Sequence, residues 1–287
     1  MQVLANIIFL SSFYVSFAVG LALVFGVMRT INFAHGEFYM LGGYALWLLS
    51  GVLSNTIPDG ATFIVAMLVG AGVVGILGML VQLTLFERLK EQPFSIFMAT
   101  LGLSYVLQVV VVKTIGPMGR SVPAIFPGFI MFEGAILPIQ RIVVLGFTAL
   151  MMAGLWYFLM RTDLGRAVRA TAQNKTGAML QGISMGKIAL TTMFVGSALA
   201  AISGTLMGSV LMIGPFMGAE ALWRAFIIII VGGIGSLSGT VVAALLFGLI
   251  DTLMTTFGAG KFAAMVDAII MLLVLSFMPN GLLGSRE

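Results

Sequence analysis

Cysteine is absent from this 287-residue chain, histidine occurs once, and Asp, Glu, Lys and Arg together make up only 8% of it. Without cysteine there are no disulfides, thiolate metal sites or cysteine nucleophiles. One histidine cannot build a zinc site of the usual kind. A G-x-x-x-x-G-K-[ST] segment is missing as well: the nearest, GISMGK at Gly182–Lys187, has the wrong spacing and is followed by Ile188, so the chain cannot bind ATP through a P-loop. Soluble domains carry about a quarter charged residues. A chain that is 60% hydrophobic, with mean hydropathy +1.16, is instead an all-α polytopic membrane protein. Its formal charge of +4 says less than how Lys and Arg divide between loops, and no nucleic-acid partner is implied. The first ten residues, MQVLANIIFL, lack a basic leader and read as the start of a retained span.

A helical span needs about 20 apolar residues. Candidates lie near 4–28, 33–53, 61–86, 94–113, 142–160, 188–213, 222–257 and 262–278, which makes eight, within one membrane domain covering 1–287. The 222–257 stretch exceeds one straight span and is interrupted by VGGIGSLSG at Val231–Gly239. This pattern suggests two half-helices joined by unwound backbone, so that the count is about eight, or nine if each half spans. Residues 114–141 hold four prolines and no helical period, so they read as an extended or partly re-entrant external loop. Residues 161–187 carry Arg161, Arg166, Arg169, Lys175 and Lys187 against Asp163 alone, which places that loop in the cytoplasm. The side of the C-terminal PNGLLGSRE is left open. Gly-rich NFAHGEFYMLGGY in the first half and VGGIGSLSG in the second invite comparison as an inverted repeat. The closely spaced glycines from Gly70 to Gly78 need mean no more than close helix crossing.

Asn32, His35 and Glu37 fall within six positions between apolar segments, where polar groups are costly unless they face protein or a water-filled route. An acid–base pair is a poor reading, because positions two apart on a helix face different sides. Asn32 is placed to cap a helix starting at Phe33, with Glu37 near the positive end of its dipole; this role and a place on a pathway are compatible. In the basic loop, Thr162 and Asp163 are cap candidates for a helix reaching Leu180, whose small residues and Arg166 and Arg169 at i and i+3 suit docking by another protein. If ATP drives this chain, hydrolysis belongs to a partner that docks there. Asp251 and Asp267 read as helix-end or interfacial residues, and Glu220 with Arg224 as a local i, i+4 ion pair at a rim.

INFAHGEFYMLGGY at Ile31–Tyr44, TDLGRAVRATAQNKTGAMLQGI at Thr162–Ile183, VGGIGSLSGTVVAALLFG at Val231–Gly248 and PNGLLG at Pro279–Gly284 occur in this order along nearly the whole chain. Together they resemble the LivH-type permease subunits of ATP-binding-cassette importers for branched-chain amino acids. That resemblance implies a translocation region at Asn32, Phe33, His35, Gly36 and Glu37, with Gly232, Gly233, Gly235 and Ser236 forming the second glycine-rich signature. It implies an ATPase-coupling element at Gly165, Arg166, Arg169, Ala170, Asn174 and Gly182. The implied partners are a second, LivM-like permease, two ATPases, an external substrate-binding protein and an amino-acid substrate, in a bacterial plasma (inner) membrane. No cofactor, metal or catalytic residue is implied. The chain departs from the family's pattern at LKEQPFSIF, which keeps Pro93 but lacks flanking arginines, and at Arg224. Urea or amide permeases share the motifs, and an ATP-independent transporter or channel is the reading from another class. An intramembrane enzyme is disfavoured by the missing nucleophile and metal sets.

Overall fold

A computed structural model describes residues 1–53 and 56–284. Its elements run α1 (Gln2–Met28), α2 (His35–Leu53) and α3 (Asp59–Val81), which continues through a π-turn at Gln82–Phe86 into α4 (Glu87–Leu89). Then come α5 (Pro93–Thr114), a hairpin of β1 (Phe129–Phe132) and β2 (Ala135–Pro138), α6 (Ile139–Arg161), α7 (Asp163–Gln173) and α8 (Lys175–Leu180). The chain closes with α9 (Met185–Gly208), α10 (Met217–Gly232), α11 (Leu237–Thr256), a 3-10 turn at Gly260–Phe262 and α12 (Ala263–Phe277). Among the described residues, seven helices are long and apolar enough to cross a membrane.

Helix α9 is the hub, packed against α1, α2 and α3. In lipid, apolar area gives little drive for helices to associate, so close backbone approach must supply it. Small residues provide that approach: a Cβ on Gly20 of α1 would lie 3.1 Å from the Gly196 carbonyl of α9. Gly75 and Gly78 of α3 lie against Phe194 and Ser197 of α9, so that glycine run marks a helix crossing. Helix α12 is at the opposite extreme, with only Ala263 and Asp267 buried, and it packs on α10 and α11 at the periphery.

Three regions go further than the sequence expectation. The 222–257 stretch is a pair of helices folded back on each other, since Gly232 abuts Gly239; Gly233 (φ 106°) and Gly235 (φ 82°) make the reversal in backbone regions open to glycine. The terminal carbonyls of α10, which lack intrahelical partners, are then capped by the C-terminal motif, with Leu282 N donating to Val231 O (2.8 Å) and Leu283 N to Gly232 O (3.1 Å). The proline-rich loop holds a hairpin whose turn, Glu133–Gly134, has both residues at positive φ, as the twist of paired strands favours. The basic loop forms two helices, because Asn174 leaves helical geometry and caps α8 through Gly177 N at 2.8 Å.

Candidate functional site

After α1 ends at Met28, the chain turns back along it, and α2 starts deep in the bundle. His35 lies beside Gly20 and Phe17 of α1, the Phe17–His35 ring centroids being 5.7 Å apart. That level is roughly 12 Å from the end of α1 at 1.5 Å per residue. Asn32 shapes the entry: its side-chain oxygen accepts from Ala34 N at 3.1 Å, and its carbonyl accepts from His35 N at 3.2 Å. The helix therefore begins two residues later than expected, with Asn32 forming an Asx-type turn before it. Phe33 packs its ring on Phe97 and Phe226 (4.8 and 5.5 Å) and donates its N–H to Thr100 Oγ1 at 3.3 Å.

His35 and Glu37 do face different sides. His35 looks toward α1, is completely buried, and neither ring nitrogen has a hydrogen-bond partner among the described residues. Glu37 looks toward α5, where its Oε1 accepts from Ser104 Oγ at 2.8 Å and Gln108 Nε2 at 2.7 Å. Its Oε2 and the Asn32 amide nitrogen have no partner among the described residues. A buried polar atom left without a partner costs about 1–3 kcal/mol, so four such atoms in one place need a reason other than stability. Gly36, between the two side chains, meets Gly218 of α10 backbone to backbone, and a Cβ on either would strike the other's carbonyl. Thr100, Ser104 and Gln108 were missed from sequence, although their i, i+4, i+8 spacing marks a polar stripe on an apolar helix.

Toward the loops after α5 and α9, this cluster is closed by apolar packing. Met40, Tyr44, Val111 and Ile213 form a small core of their own. Above it, Arg120 and Ile213 exchange two backbone hydrogen bonds of 2.7 Å each, tying the loop after α5 to the loop after α9. The Arg120 guanidinium lies 5.2 Å over the Trp47 ring and donates to Ile115 O at 2.7 Å.

The other glycine-rich candidates do not join this cluster. Gly233, Gly235 and Ser236 sit at the end of the bundle that carries α7, next to Gly26 of α1 and the C-terminal motif; Ser236 caps α11 through Gly239 N at 3.1 Å. A cavity of about 510 Å³ opens there between α1, α6, α7 and the start of α11. In the coupling candidate, Thr162 caps α7 through Gly165 N (3.0 Å), and Gly165 lies against the Phe158 carbonyl at the end of α6. Arg169 turns inward, its Nε donating to Leu159 O at 3.0 Å, while Arg166 stays exposed and pairs with Asp163. Ala170 is half-buried, and Gly182 (φ 79°) ends α8. Met179 and Leu180 on α8 are exposed, Leu180 by 82%.

Asp251 and Asp267 stand near helix ends as expected, yet neither is interfacial: each is 3% exposed. Both pair with Arg224, which reaches them instead of forming the anticipated local bridge to Glu220.

A family model described as "Branched-chain amino acid transport system / permease component" matches residues 3–275. The chain belongs to this family. The high-affinity branched-chain amino acid transport system permease protein LivH of Escherichia coli K12 is 30% identical over 297 residues, covering 100% of this chain and 96% of that one. BraD of Pseudomonas aeruginosa PAO1, named for the same transport system type, is 30% identical over 300 residues, with the same coverage. LivM of Escherichia coli K12 is 26% identical, covering 96% of this chain and 68% of its own. Among solved structures, PsaBC from Streptococcus pneumoniae in complex with Fab shares the fold, at TM-score 0.50 and 14% identity over 96% of this chain and 91% of that one. The permease is thus a multi-pass protein of the inner membrane, a relative of both LivH and LivM.

Proposed function

We propose that this permease forms half of the membrane route of an ATP-binding-cassette importer for branched-chain amino acids, paired with a LivM-like permease and served by two ATPases and a substrate-binding protein. The chain itself is non-catalytic in this reading. The 161–187 loop faces the cytoplasm and the 114–141 loop faces outward. Full-length similarity to LivH and BraD carries the transport role and the substrate class.

The route passes the Asn32–His35–Glu37 cluster. What supports this is the set of buried polar atoms there without partners among the described residues, set inside the bundle between α1, α2, α5 and α10. Glu37 offers one oxygen already held by Ser104 and Gln108 and one unused, which suits the ammonium group of a zwitterion passing through; the apolar surroundings suit its side chain. The Arg120–Ile213 bridge and the Met40–Tyr44–Ile213 core close the route outward. On the other side, α7 is fastened to α6 through Gly165 and Arg169, so ATPase contact falls to exposed Arg166 and to α8, shaped by Asn174 and Gly182. Serine at Met179 and Leu180 lowers ATP-driven uptake severalfold with membrane insertion unchanged, whereas unaltered uptake removes α8 from the docking surface.

Uptake into proteoliposomes containing all the subunits tests the whole reading. Labelled leucine accumulates only with ATP, and labelled urea does not accumulate. Urea uptake would move the substrate class, and flux by this chain alone without ATPases would sink the importer reading.

A further inference from the structure

Four helices meet at one guanidinium. Arg224 Nη1 of α10 bonds to the Tyr14 hydroxyl of α1 at 2.8 Å and to Asp267 Oδ2 of α12 at 3.2 Å, and it pairs with Asp251 Oδ2 of α11. Tyr14 donates its own hydrogen to the same Asp251 oxygen. The Oδ1 atom of each aspartate is buried and has no partner among the described residues. Other charged groups on the packed elements point elsewhere: Glu220 is exposed on α10, and Lys261, exposed before α12, lies 5.0 Å over the Phe262 ring.

One cation therefore faces two carboxyl groups whose Oδ2 atoms converge on a single nitrogen. Out of water, two full negative charges so placed repel each other, and one guanidinium can neutralise only one of them. A metal ion is no remedy, because two free oxygens beside a guanidinium fall far short of the six or so that a hard cation needs. A proton restores neutrality with one O–H bond.

We propose that Asp251 and Asp267 share one bound proton, and that this proton site latches α12 onto the bundle. The loaded cluster is one guanidinium, one carboxylate and one carboxylic acid, with no net charge. Helix α12 buries little apolar surface, so the Arg224–Asp267 contact is its main polar tie to the core. The inference stands on this cluster alone and does not depend on what the permease carries.

Infrared spectroscopy of the full-length chain in lipid nanodiscs tests it, in a Glu37→Gln background so that the other buried carboxyl contributes nothing. The C=O band of a protonated carboxyl is present at neutral pH and disappears when Asp267→Asn is added, because Asp251 and Arg224 then form a simple ion pair. Absence of the band, or a band that survives both Asp267→Asn and Asp251→Asn, overturns the proposal. Thermal melting gives a second readout. Asp267→Asn alone melts close to the parent, Asp251→Asn with Asp267→Asn melts well below it by stranding the guanidinium, and adding Arg224→Met recovers the loss. A single Asp267→Asn variant that melts as low as the double, or is too unstable to purify, shows that both charges are required and overturns the shared proton.

Discussion

Two polar clusters lie buried in this bundle, and they differ in how their polar atoms are met. Around Arg224 four helices bring opposite charges into direct contact, and among the described residues only the Oδ1 atom of each aspartate is left over. Around Glu37 one carboxylate oxygen is held by two neutral donors, while its other oxygen, both nitrogens of His35 and the Asn32 amide are left over. An aromatic layer separates the two: Phe17 touches His35 and Tyr39, and Tyr39 touches Phe13, the neighbour of Tyr14. Matched charges in hydrocarbon hold helices together, whereas unmatched ones are retained where something else has use for them. In the proposed reading, the first pattern belongs to assembly and the second to passage.

The largest effect is expected where the second cluster is pinned by backbone contact. Gly36→Val places a branched side chain against the Gly218 carbonyl, which cannot yield without moving α10 away from α2. Overpacking of this kind costs about 1–3 kcal/mol, and uptake by the reconstituted complex should be abolished even where the protein still inserts; wild-type uptake would show that α2 and α10 are not held as described. Next comes the closure at the Arg120–Ile213 end. A Cβ on Gly119 would lie 2.6 Å from the Met212 sulfur, and the chain has no native cysteine, so Gly119→Cys with Met212→Cys gives a clean crosslinking pair. Oxidation should stop uptake and reduction restore it, and transport through the crosslinked protein would mean that this closure does not open during the cycle.

A direct comparison neutralises one acid in each cluster. Glu37→Gln preserves the bonding to Ser104 and Gln108 but removes the charge offered to an ammonium, so uptake should fall roughly tenfold, the equivalent of about 1.4 kcal/mol, with little change in melting. Asp267→Asn should leave uptake within about twofold, under 0.5 kcal/mol on the same scale. Equal losses from both variants would erase the distinction between passage and assembly.

Much of this was legible in the sequence, and what was not has a physical reason. Apolar run lengths gave the spans, because a bilayer fixes the length of a helix that crosses it. The Asn32–Glu37 interruption was visible because local composition alone makes it expensive. The Arg224 cluster was hidden, because Tyr14 and Asp251 are 237 positions apart, and a charged residue in an isolated span looks the same whether it meets lipid headgroups or a partner. The inward turn of Arg169 was also hidden: charge spacing indicated an exposed pair with Arg166, while the Leu159 carbonyl that captures it becomes evident only once α6 and α7 pack. The break at Gly233–Ser236 was read at the right place, as two helices joined by non-helical backbone, but the glycines alone did not say that the second helix packs back on the first.

The smallest effect discriminates most finely between the clusters. Tyr14→Phe removes a hydroxyl that both accepts from Arg224 and donates to Asp251 while keeping the ring in place. Loss of such a bond costs about 1–2 kcal/mol, a shift of a few degrees in melting for a chain this size, with uptake unchanged. Its value lies in combination. Residues that share partners are coupled, and those that share none add, so Tyr14→Phe with Asp267→Asn should destabilise by an amount different from the sum of the two, whereas Tyr14→Phe with Glu37→Gln should be additive in melting. Additivity in the first pair would separate Asp267 from the cluster, and coupling in the second would show that the aromatic layer transmits rather than divides.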